Sequence, residues 1–278
     1  MTSIKSLIIS SLVGLLTLWT PDSTIQKTEN NPIHYECEVE NTVFQDGETI
    51  TYVLYYHLTP FWIKAGEVTF EMSDKGSHYY VRAEGRTASS FEWFYKVRDV
   101  YECEIDKETL RPIRSERDIR EGSYKKISKA EFDFENNQII AKTGKTEESL
   151  KEITEEMDDC MHDVLSIIYH ARNMDYDHME EGSTMPANIF LDDDKYNVGY
   201  KFAGREEKKI KKLGKVNSII LKPQLVSGYI FEDDTEMTIW ASDDGNKLPL
   251  MIESPISVGS VKAVLKSYSN LKYPLEVN

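Results

Sequence analysis

A chain of 278 residues with 40% apolar, 11% aromatic and 29% charged side chains can bury a sizeable core, which excludes global disorder. Its net charge of −15 repels phosphate backbones, so nucleic-acid binding is excluded as a function class. At the N-terminus Lys5 precedes an apolar run from Leu7 to Trp19, and charge returns only at Asp22. A run of about 13 residues is short for a membrane span and right for the core of an export signal. Residues 1–21 therefore read as a signal peptide without a clear cleavage motif, residues 22–36 as a polar linker, and 37–278 as a single β-rich domain. The first cysteine is Cys37, so no leader cysteine is present to carry a lipid anchor. The expected location is the periplasm or cell envelope, with no transmembrane span in the mature chain.

From Phe44 the chain reads as strands. Asp46-Gly47 is a turn signal, and Ile50, Tyr52, Leu54, Tyr56 and Leu58 alternate with Thr51, Val53, Tyr55 and His57. This period of two predicts a half-buried strand. After Thr59-Pro60 the residues Val68, Phe70 and Met72 share one face, opposite Glu67, Thr69 and Glu71. Two such neighbours make a meander that must be covered on one side. Tyr79, Val81 and Ala83 continue it, and the aromatic segment 91–95 reads as core, with a closing helix or a ligand-contacting lip as alternatives. Val97 to Ile105 is another strand, with Cys103 in phase with Tyr101. Arg114, Arg117 and Arg120 read as a solvated strand face, and Asn136-Asn137 as the turn of a hairpin over 124–143.

The stretch 158–176 carries the one long helix expected. Asp158 or Asp159 would cap it; Met161, Val164, Leu165, Ile168 and Ala171 form an apolar stripe, which Ile167 and Tyr169 widen. Further strands follow at 186–191, 196–202, 208–212, 216–222, 237–241, 248–252 and 258–268, with Asp192 to Asp194 as a solvated turn. About a dozen turn-punctuated strands around one helix predict a mainly β protein: an antiparallel sheet curled into a barrel or half-barrel, with the helix on its concave face.

Three cysteines in an exported chain allow one disulfide. Cys37 and Cys160 lie at element ends and Cys103 lies within a strand, so Cys37–Cys160 is the expected bridge, closing a loop of about 120 residues worth on the order of 4 kcal/mol.

Several stretches taken together resemble a known family. They are Phe44-x-x-Gly47-Glu48-x-x-x-Tyr52, Ala65 to Phe70, Cys160 to Ser166, Trp240-x-x-x-Asp244 with Pro249, and Ser257 to Val261. Their order and spacing, from Phe44 to Tyr268, are similar to those of the exported bacterial envelope family called domain of unknown function 3108. The resemblance implies a barrel-like envelope protein and no established activity.

The sequence lacks a G-x-S-x-G elbow, an H-E-x-x-H pair, a P-loop and a G-x-G-x-x-G turn. The remaining catalytic candidates are His162 and Asp163, with Asp99 or Tyr101 as sheet partners. On a helix His162 and His170 would stand two turns apart, about 12 Å, too far to share a metal ion; no metal or cofactor is expected. Tyr52, Tyr56, Trp62, Trp93 and Trp240 could line a concave sheet as ligand contacts. The leading expectation is a non-enzymatic envelope protein that binds a lipid, another apolar or amphipathic ligand, or a partner protein. The alternatives are an enzyme acting on envelope polymer or lipid through the His162/Asp163 region, and a scaffold that recruits a partner along strand edges.

Overall fold

The computed structural model describes residues 37–58, 61–93, 95–223, 236–256 and 259–278. The expected leader and linker lie outside the described residues. The first strand, β1 (Thr49–Leu58), has the predicted alternation: Ile50, Tyr52, Leu54 and Tyr56 are buried and the residues between them are half-buried. With β2 (Phe61–Asp74), β3 (His78–Thr87), β4 (Arg98–Asp106), β5 (Pro112–Glu121), β6 (Tyr124–Asp133), β7 (Gln138–Gly144) and β8 (Lys151–Glu156) it forms an antiparallel meander.

After β9 (Met161–His162) and helix α1 (Ser166–Arg172) a second meander begins. It comprises β10 (Thr184–Leu191), β11 (Asp194–Ile210), β12 (Gly214–Pro223), β13 (Thr238–Ser242), β14 (Pro249–Pro255) and β15 (Ser260–Ser269). The last strand pairs antiparallel with β1, so the two meanders make one 15-stranded sheet with β8 and β9 as its edges. The protein is therefore mainly β, a large curled open sheet with one α-helix among the described residues.

The edges approach without a ladder between them. Phe190 on β10 meets Phe132 on β6 edge-on, 6.3 Å between ring centres, and Asp192 beyond β10 pairs with Arg117 of β5 at 2.5 Å and Lys126 of β6 at 2.8 Å. These contacts roll the second edge against the inner face of the first meander. They also correct two expectations, since Arg117 and Asp192 are buried partners and not parts of a solvated face and turn.

The helix is shorter than the periodicity predicts. Cys160 has a φ of +53°, a left-handed conformation that interrupts a helix, and Met161–His162 pair in parallel with Asn188–Ile189 of β10. Met161 thus belongs to a strand. The helix start is organised by Asp163 in place of Asp158 or Asp159: its carboxylate accepts the backbone N–H of Leu165 at 3.1 Å and of Ser166 at 2.7 Å. Strands 196–202 and 208–212 are one strand, β11, bent at a register shift after Phe202 where Gly204 has a φ of +93°.

Candidate functional site

Helix α1 divides its side chains between two environments. Leu165 and Tyr169 are buried in the main core, where the Tyr169 ring meets Phe44 edge-on at 4.9 Å. Val164, Ile167, Ile168 and Ala171 are half-buried and line an apolar cavity of about 240 Å³. The helix therefore lies on the concave face without filling it. The facing wall comes from both meanders, with Ile50, Tyr52, Val68 and Phe70 on β1 and β2, and Ile189, Val198, Ile239 and Ile252 on β10, β11, β13 and β14. For scale, an apolar cavity of about 150 Å³ stays dry and accepts benzene.

Polar groups on the wall are few and largely engaged. The Tyr52 hydroxyl donates to the Pro249 carbonyl at 2.8 Å and the Tyr176 hydroxyl to the Ala171 carbonyl at 2.7 Å. Arg172, in the last turn of α1, gives two hydrogen bonds to Glu48 at 2.6 and 2.8 Å and a third to the Asn246 carbonyl at 3.2 Å. Both members of this ion pair are buried, so α1 is locked to the start of β1 by a fully desolvated fork. Burial pushes the hydroxyls of Tyr52 and Tyr169 up, so both stay neutral. Lys247, in the turn between β13 and β14, is half-buried at the same end of the cavity.

The expected ligand-contacting aromatics are dispersed. Tyr52 lines the cavity; Tyr56 is buried on the same strand face without lining it. Trp62 stacks on His57 with the Lys262 ammonium 4.3 Å from its ring, while Trp93 is 84% exposed, which corrects the reading of this residue as core although Tyr95 packs against the main cluster. Trp240 points away from the cavity between its wall-lining neighbours Ile239 and Ala241, and its indole N–H donates to Glu206 at 2.5 Å. Composition supplies aromatics, but strand parity decides which of them face inward.

The catalytic candidates are all buried, and none of them lines the cavity. His162 accepts or shares a hydrogen bond with Ser166 at 3.2 Å, and its ring centre stands 4.6 Å from that of His170. The predicted separation of about 12 Å assumed one helix through both, whereas the chain doubles back between β9 and α1. Burial, followed by the neighbouring His170, holds the His162 imidazole well below its usual range. Asp163 accepts the Cys103 thiol at 3.1 Å besides its helix-start bonds. Asp99 accepts the Arg120 backbone N–H at 2.9 Å, and burial raises its carboxyl to about 6. Tyr101 lies under the Arg117 guanidinium, 4.9 Å from its ring centre. His162 and Asp163 thus share Ser166 as a partner, and Asp99 and Tyr101 both lie near the Arg117 guanidinium. Cys37 and Cys160 are joined as a disulfide with Cα atoms 4.9 Å apart, and Cys103 is a buried free thiol. Among the described residues no group of three or more potential ligands is placed to hold a metal ion.

Sequence reasoning picked out the wall residues of α1 as an apolar stripe but not their exposure to a cavity. Lys247, Tyr176, Met237 and Val198 were missed, because lining the cavity depends on which distant strands curl around the helix.

A curled antiparallel sheet with a helix against its concave face and an apolar space between them defines the class of this protein. Residues 51–266 match the family described as "Protein of unknown function (DUF3108)", and the chain belongs to that family. Among solved structures it is similar to the beta-barrel-like protein of domain of unknown function DUF1849 from Brucella abortus. The TM-score is 0.56 at 9% identity, over 84% of this chain and 100% of that one, a likeness of fold alone. No curated protein matches the chain.

Proposed function

We propose that this protein is an exported envelope protein that binds a single apolar or amphipathic chain in the cavity beneath α1. The observation that carries this reading is the half-buried stripe Val164, Ile167, Ile168 and Ala171, which packs against the surrounding apolar clusters on its flanks and still borders an unfilled apolar space of about 240 Å³. An apolar stripe on that scale is favoured when covered, at about 0.8 kcal/mol per buried methylene of a guest. Export is supported by the leader pattern of Lys5 and Leu7 to Trp19, and the Cys37–Cys160 disulfide fits an oxidising compartment. The buried positions of His162, Asp163, Asp99 and Tyr101 favour binding over catalysis.

The test is native mass spectrometry with organic extraction of mature protein purified from a periplasm, paired with titration of alkyl chains of increasing length. The expected result is a co-purifying apolar or amphipathic molecule, with affinity rising about fourfold per methylene until the cavity is full. Ala171→Phe, which places a ring in the cavity, should abolish binding while the fold is kept. Undiminished binding by the folded variant, or no binding of any chain by the wild type, would overturn the proposal.

A further inference from the structure

The cavity is chemically asymmetric along the strands. One end carries Arg172 and Lys247, adjoining through the Arg172 bond to the Asn246 carbonyl. The other carries Leu221 and Met237, at the far end of β13. A five-residue strand spans about 17 Å, so the space is long relative to its volume of about 240 Å³ and suits one extended chain.

The two cations at the polar end differ. Arg172 is neutralised by the bidentate Glu48 carboxylate. Lys247 has no ion pair among the described residues, and the acids of its own turn are committed elsewhere. Asp243 pairs with Arg205 at 2.9 Å, and Asp244 accepts Ser242 Oγ at 2.7 Å, the Asn246 N–H at 2.9 Å and the Glu276 N–H at 3.2 Å. A half-buried lysine lining an apolar space, in a protein of net charge −15, is an isolated positive site in a negative field. It attracts an anion locally and at short range, where the surrounding low dielectric strengthens the pairing.

Resting on the cavity reading above, we infer that the ligand is a single-chain amphiphile with a carboxylate head group, the carboxylate paired with the Lys247 ammonium and the tail running toward Met237. The probes are dodecanoate and dodecanol, equal in chain length and differing in head-group charge, each titrated below its micellar concentration into the full mature chain. Wild type should bind dodecanoate about tenfold tighter than dodecanol. Lys247→Met, which keeps the aliphatic stem, should lose that preference, the ratio of the two affinities falling to about one, and Lys247→Arg should retain it. Equal binding of the two probes by wild type, or an acid preference that survives in Lys247→Met, overturns the head-group assignment and leaves the cavity reading standing. Binding of neither probe overturns both.

Discussion

Asp99, whose carboxyl hydrogen-bonds that of the buried Glu121, shows how a buried acid sets pH dependence. Burial lifts its carboxyl from an ordinary 3.8 to about 6, so the folded state holds the proton more tightly than the unfolded chain. Its contribution is fully present below about 3.8 and is lost as pH rises through about 6, which lowers stability toward neutrality. Asp99→Asn keeps an acceptor for the Arg120 N–H and removes the ionisation. It should flatten the pH profile of thermal unfolding between 4 and 7 and gain about 1–3 kcal/mol at pH 7, read as melting temperature against pH for both proteins. The buried Glu48–Arg172 pair tests charge compensation. Arg172→Met strands a buried carboxylate and should cost about 3–5 kcal/mol, whereas Glu48→Leu combined with Arg172→Met should restore most of that loss. Urea midpoints of the two variants decide it; a double variant no more stable than the single one would show that the fork is needed for more than charge compensation.

At the scale of elements, the segment leading into α1 is held by its covalent and hydrogen-bonded surroundings more than by helix propensity. The disulfide ties Cys160 to Cys37, β9 pairs with β10, and Asp163 sets the first turn, so a helix of only seven residues keeps its place. The bridge spans 123 residues of chain, and joint replacement of Cys37 and Cys160 by serine should lower stability by about 2–4 kcal/mol in denaturant unfolding. Residues of the family resemblance recur at such junctions. Glu48 holds α1, Asp244 organises the β13–β14 turn, and Gly259 has a φ of +89° with the His57 carbonyl 2.3 Å from where a Cβ would sit. Only glycine fits that approach.

For the whole molecule, the consequence of curling is a cavity bounded by strands far apart in sequence. A guest that binds only the folded state raises apparent stability by mass action, about 2.7 kcal/mol at a hundredfold excess over Kd. Thermal unfolding should therefore rise with alkyl-chain concentration in the wild type and stay constant in Ala171→Phe. Among the described residues no helix is long and apolar enough to cross a membrane.

Alternation along β1, the turn at Asp46-Gly47 and the hairpin at Asn136-Asn137 were legible in the sequence because side-chain parity and turn chemistry are local. The mainly β class and the presence of a helix near the middle followed from the same local patterns. The apolar stripe of α1 was legible too, but its length was not: the left-handed Cys160 and the β9–β10 pairing are imposed by a cysteine and a strand remote in the chain. Only the tertiary structure decided that Trp62 and Trp240 turn outward while Ile167 and Met237 turn in, that Arg117 and Asp192 seal the seam, and that Lys247 stands at the polar end of the cavity. Each depends on the register and curvature of a sheet whose first and last strands pair with one another, and no window of neighbouring residues encodes that pairing.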